Sequence, residues 1–190
     1  MEFVEDIVAG TVPEDESLDA PEARKVMKRG SQKEAPWPLY QHSAKNKDPE
    51  DHTYYYLDKA GEGVDIYILD SGIARPQDEF DDDRRDRVVL DINFSNAQGN
   101  GDDSGITRHG TKVASAAAGK GYGVAKSANL INFKFYRDGN PDAAFLAKAL
   151  DEVMERHETR RNEADFKGAV INMSFWIPKT NAVDRRVTTA

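Results

Sequence analysis

Val64-Asp65-Ile66-Tyr67-Ile68-Leu69 runs directly into Asp70-Ser71-Gly72, and this stretch decides the fold. Its β-branched and aromatic residues, bounded by Gly63 and Gly72, predict a strand that ends at a carboxylate. Working outward, the same short apolar runs predict strands at Val88 to Phe94, Asn129 to Phe135 and Ala169 to Phe175. Between the last two, Ala143 to His157 places Leu146, Ala149, Leu150, Val153 and Met154 on one helical stripe. Thr111 to Ala118 is a second, small-residue helix. Strand, helix, strand at this spacing indicates an α/β domain with a mostly parallel sheet, because a crossover helix is the usual link between parallel neighbours.

A length of 190 residues with 38% apolar content supports one core without a metal or disulfide staple. The 34 acidic residues against 26 basic give a net charge of -8, which argues against nucleic acid or an anionic membrane as the main partner. With no cysteine, a disulfide scaffold, a thiolate metal site and a cysteine nucleophile are excluded. No run approaches a membrane span, and Glu2, Glu5 and Asp6 stand where a secretory signal carries positive charge, so the chain as written is expected to be neither targeted nor anchored. Residues 7–34 mix acids, bases, Pro and Gly without an apolar period and predict a flexible linker, with a short charged helix over Glu22 to Arg29.

Catalytic groups of open parallel sheets collect beyond the carboxyl ends of the strands, where Asp70 is expected. A carboxylate after an apolar strand needs a hydrogen-bonding partner if it is buried; the alternative is a turn or cap aspartate. His109 opens His109-Gly110-Thr111-Lys112-Val113-Ala114, and an imidazole at a helix start is held rigidly, as a general base must be. The alternative is a surface histidine, the expected state of His42, His52 and His157.

Together, Asp70-Ser71-Gly72 and His109-Gly110-Thr111 resemble two of the three signatures of the subtilisin-like serine proteases, in that family's order. The resemblance is closest to the proteinase K branch. Ala35-Pro36-Trp37-Pro38-Leu39 resembles that branch's mature N-terminus, and Thr53-Tyr54-Tyr55-Tyr56 and Gly123-Val124-Ala125-Lys126 are similar to its segments. Glu2-Phe3-Val4-Glu5-Asp6 resembles the last strand of the family's propeptide. The resemblance implies a subtilisin-like fold cut after about four core strands, with 1–34 a propeptide tail and linker and 35–190 the N-terminal part of a catalytic domain.

It further implies a serine endopeptidase in which Asp70 orients and His109 is the base. An extended peptide or protein substrate would lie along Ile171 to Trp176, touching Ser174, Phe175 and Trp176, and near Gly139 on the facing segment. No cofactor is expected, although structural calcium belongs to the family, and secretion is the family expectation. Of the nine serines, none is in a nucleophile context: Ser71 adjoins Asp70, Ser115 falls on the opposite face of the helix from His109, and Ser174 fits a substrate strand. The oxyanion asparagine is absent too, so the chain is expected to be inactive as given; the alternative is a dead, subtilase-derived protein that binds peptides or a protease partner. A sheet ending at Ala169 to Phe175 would leave an apolar edge that favours self-association.

Three departures stand out: Arg108 and Ser115 where the family has glycine, and Trp176, expected to fill a substrate groove. Two rivals fail on pattern. The acids Asp78, Glu79, Asp81, Asp82, Asp83 and Asp86 lack metal-ligand spacing and, interleaved with Arg84, Arg85 and Arg87, read as solvated surface. Gly119, Gly121 and Gly123 follow a helix, whereas a dinucleotide loop precedes one.

Overall fold

In the computed structural model, which describes residues 28–43, 50–75, 78–82, 85–95, 100–103, 107–137 and 140–189, the decisive stretch is a strand, β3 (Val64–Asp70). It lies inside a four-stranded parallel sheet, with β10 (Gly168–Asn172) on one side and β7 (Asn129–Lys134) then β6 (Val88–Asn93) on the other. Register is set by Asp65 opposite Asn129 and Asp70 opposite Lys134. Two helices cover this sheet, α2 (His109–Ala118) and α3 (Ala143–Arg160), and α4 (Asn181–Thr189) packs against α3. Short antiparallel pairs complete the architecture: β1 (Arg29–Gln32) with β2 (Tyr54–Leu57), β4 (Asp81–Asp82) with β5 (Arg85–Asp86), and β8 (Tyr136–Arg137) with β9 (Asn140–Pro141). The first pair is accompanied by α1 (Trp37–Ser43).

Because β3 and β7 are covered on both faces, alternate residues feed two separate cores, as a parallel sheet requires. Ile66, Ile68 and Leu130 pack with Ala114 and Ala118 of α2. Tyr67, Leu69, Ile131 and Phe133 pack with Leu146, Ala149, Leu150 and Val153 of α3, the stripe that the sequence periodicity predicted. Asp142 caps α3, its Oδ1 accepting from the backbone N–H groups of Ala144 and Phe145 at 2.9 and 3.2 Å. At the other end of α3, Arg160 Nε donates to Asp65 at 3.1 Å while Asn129 Nδ2 donates to the same carboxylate at 2.6 Å. Asp65, 1% exposed, is thus compensated by two donors, and it ties α3 to the amino ends of the strands.

Three expectations need correction. The last strand ends at Asn172, not Phe175: Ser174 Oγ bonds Asn172 Oδ1 at 3.0 Å and the Phe175 ring turns against Phe135 and Tyr136, drawing the chain out of the ladder. Within the expected linker, Arg29–Gln32 is a strand, because Tyr54–Leu57 offers an edge and Gln32 Nε2 reaches Gly121 O at 2.9 Å. Arg87 is not solvated surface; it is 1% exposed, donating to the carbonyls of Ala128 and Glu79. The expected propeptide strand and most of the expected Glu22 to Arg29 helix lie outside the described residues, and Arg29 itself is extended. No described helix is long and apolar enough to cross a membrane. At the edge, β10 exposes Val170.

Phe133 is fully buried between the rings of Tyr67 and Phe94. Phe133→Ala is expected to cost about 3–5 kcal/mol through lost burial and the cavity left behind, read as a lowered urea midpoint.

Candidate active site

At the carboxyl end of β3 the side chain of Asp70 is 0% exposed. Burying a carboxylate is costly unless donors replace its water. Here Ser71 N–H donates to Oδ1 at 2.7 Å, and His109 Nδ1 lies 2.8 Å from Oδ1 and 3.0 Å from Oδ2. Facing a carboxylate, Nδ1 must carry the proton, which leaves Nε2 of the neutral ring as an acceptor. The imidazole is 43% exposed, so its outer edge is open to a reactant.

Two glycines make this approach feasible. A Cβ at Gly110 would lie 2.3 Å from Gly72 O and 3.0 Å from Asp70 Cβ, and one at Gly72, with φ +118, would lie 2.3 Å from Gly101 O. The start of α2 therefore rests directly on the turn after Asp70, and side chains at either position would push the imidazole off the carboxylate. Ser71 is occupied structurally, its Oγ accepting from Gly110 N–H at 2.9 Å. Among the described residues, no serine hydrogen-bonds to His109.

Of the other expected site residues, Ser174 and Trp176 are exposed, Phe175 packs into the core beneath Tyr136, and Gly139 lies outside the described residues. Trp176 is 80% exposed: Phe175 takes the inward position and the next residue faces out. Sequence reasoning missed Tyr136. Burial, with repulsion from the carboxylates of Asp70 and Asp103, pushes its hydroxyl up to about 12. It also missed Asp103, 1% exposed beside the first turn of α2; acids before a helix histidine were the only signal. Among the described residues, no cluster of His, Asp and Glu could hold a metal ion.

The model of the subtilase family, Peptidase_S8, matches residues 61–186, about two thirds of the chain. The chain belongs to the subtilase family. Subtilisin-like protease 3 of Saccharomyces cerevisiae is 30% identical over 171 residues, covering 87% of this subtilase chain and 34% of that protein. Subtilisin-like protease 2 of Trichophyton verrucosum is 34% identical over 171 residues, with 87% and 38% covered. The chain thus spans about a third of the length of these relatives. The solved structure of sphericase shares the fold, with a TM-score of 0.56 at 21% identity, covering 83% of this chain and 49% of that one.

Two departures from the subtilase pattern acquire reasons. Ser115 donates through Oγ to Glu79 Oε1 at 2.9 Å, and the same carboxylate accepts from Gly121 and Tyr122 N–H, so the serine fastens α2 to the loop that follows it. Arg108 has φ 46 and ψ 46, the left-handed region that a glycine enters freely and a residue with a Cβ enters at a cost of about 1 kcal/mol. Arg108→Gly is expected to relieve that strain and raise the thermal midpoint by about 2 °C after the loss of chain entropy is counted, measured by calorimetry.

Tyr136 gives a second prediction. Its proton is held more tightly in the folded state than at the ordinary value of 10.0, so its contribution to stability is intact below that pH and is lost as pH rises toward about 12. Urea titrations over this alkaline window are expected to show a shallower fall in stability for Tyr136→Phe than for the unmodified chain.

Proposed function

We propose that the chain carries the acid–base half of a serine endopeptidase, with Asp70 orienting and His109 acting as general base toward a serine outside the described residues. The observation that supports this is the bond from His109 Nδ1 to a fully buried Asp70, which leaves Nε2 outward. In peptide hydrolysis, Nε2 takes the proton of the attacking hydroxyl and returns it to the departing amine. Asp70 stabilises the imidazolium formed in between. Its burial strengthens that interaction, since no water screens it.

The substrate is an extended peptide or protein segment. Its backbone would run beside Ile171 to Trp176, with the exposed Ser174 and the Trp176 indole toward its side chains. Relatives named as proteases favour this reading over a binding protein without chemistry.

In a longer polypeptide that contains these residues and a serine reactive toward fluorophosphonates, His109→Ala is expected to lower casein turnover by about 10⁶ and Asp70→Asn by about 10⁴. The 190 residues by themselves are expected to turn over no casein. Hydrolysis by the longer protein that ignores His109→Ala would remove the assignment, and hydrolysis by the chain alone that His109→Ala abolishes would remove the dependence on an outside serine.

A further inference from the structure

The helix that presents His109 begins without a cap of its own. Its N-cap residue is Arg108, which forms no side-chain cap bond and sits in the left-handed region. A helix start leaves backbone N–H groups that its own turn cannot satisfy, and a short oxygen-bearing side chain at the cap ordinarily takes them. Here two distant residues do so. Gly110 N–H goes to Ser71 Oγ at 2.9 Å, and Thr111 N–H goes to Asp103 Oδ2 at 3.1 Å.

Asp103 grips more than the backbone. Its Oδ2 also accepts from Thr111 Oγ1 at 2.8 Å, and that hydroxyl in turn accepts from Ala74 N–H at 2.9 Å. A carboxylate at this end of a helix is also favoured by the helix dipole. The segment that delivers Asp103 is itself fixed to the sheet. Gly101 O accepts from Ile73 N–H at 3.0 Å and from Asn132 Nδ2 at 2.8 Å, and Asp102 O accepts from Lys134 Nζ at 2.6 Å. Asn132 and Lys134 belong to β7, the strand that pairs with β3 and its Asp70.

We infer that Asp103 is a positioning residue for the catalytic pair: by capping α2 from outside at Thr111, it holds the His109 ring on Asp70 in place of the cap that Arg108 cannot provide. The link runs from β7 through the 101–103 loop to the first turn of α2, so Asp70 and His109 are referenced to the same two strands. Asp103 touches neither reacting group, and its effect passes through the helix.

The test is NMR on the full 190-residue chain, independent of turnover and hence of the proposed activity. A histidine Nδ1 proton held against a carboxylate gives a far-downfield resonance that vanishes when the bond opens to water. Asp103→Ala is expected to lose the His109 resonance at neutral pH with far-UV dichroism unchanged, and Asp103→Asn, which keeps an oxygen acceptor for Thr111, is expected to restore it. Persistence of the resonance in Asp103→Ala, or its loss in Asp103→Asn, would overturn the inference. Should Asp103→Ala fail to fold, Asp103→Leu, which fills the same buried space without an acceptor, decides: loss of the resonance in a folded protein supports the role, and an unchanged resonance refutes it.

Discussion

The side chain of Asp70 is wholly withdrawn from water, and most of the chain around it serves to make that tolerable. An isolated buried carboxylate would take up a proton or pull the strand end apart. Two donors, Ser71 N–H and His109 Nδ1, take the place of the lost water. The second donor comes from a helix 39 residues later in the chain, so the pair forms only when β3 and α2 are both docked. Close approach of backbone to backbone at Gly72 and Gly110 is therefore part of the electrostatics, since half an ångström of retreat would weaken the bond to the carboxylate.

The same device recurs wherever this sheet meets a helix or loop. At the amino end, Asp65 is compensated by Arg160 and Asn129. Behind α2, the half-buried Glu79 collects Ser115, Gly121 and Tyr122, while Arg87, fully buried, donates to two carbonyls. Asp65 and Arg87 are charged groups placed where an apolar residue would pack, and all three draw partners from other parts of the chain. Removing one partner would leave a buried charge uncompensated, which costs more than the pair itself contributes. These contacts specify how the layers sit on one another, whereas the two apolar clusters supply the burial that holds the layers together.

With Nδ1 turned inward to a buried carboxylate, the His109 ring leaves Nε2 on its open side. The orientation follows from the bond to buried Asp70 and needs no substrate to induce it. Around it, the side chains that were expected to meet a peptide divide by exposure: Phe175 belongs to the core with Phe135 and Tyr136, while Ser174 and Trp176 face solvent.

Side-chain pattern was enough to read an apolar run ending in Asp70, a small-residue helix opened by His109, and an amphipathic crossover whose Leu146, Ala149, Leu150 and Val153 lie on the buried face of α3. Those features are local, written in side-chain periodicity and in glycines beside two chemically telling residues. Tertiary structure alone decided that Arg29–Gln32 is a strand, that Arg87 is buried, that the last strand stops at Asn172 and that Trp176 points outward. Each depends on a partner far away in the chain, Tyr54–Leu57 for the first and Phe135 for the turn of Phe175, and no pattern within a short window encodes who that partner is. Asp103 belongs to the same class. It is one acid among many in a chain of net charge -8, and only its position against Thr111, 1% exposed and fixed to β7, separates it from the rest.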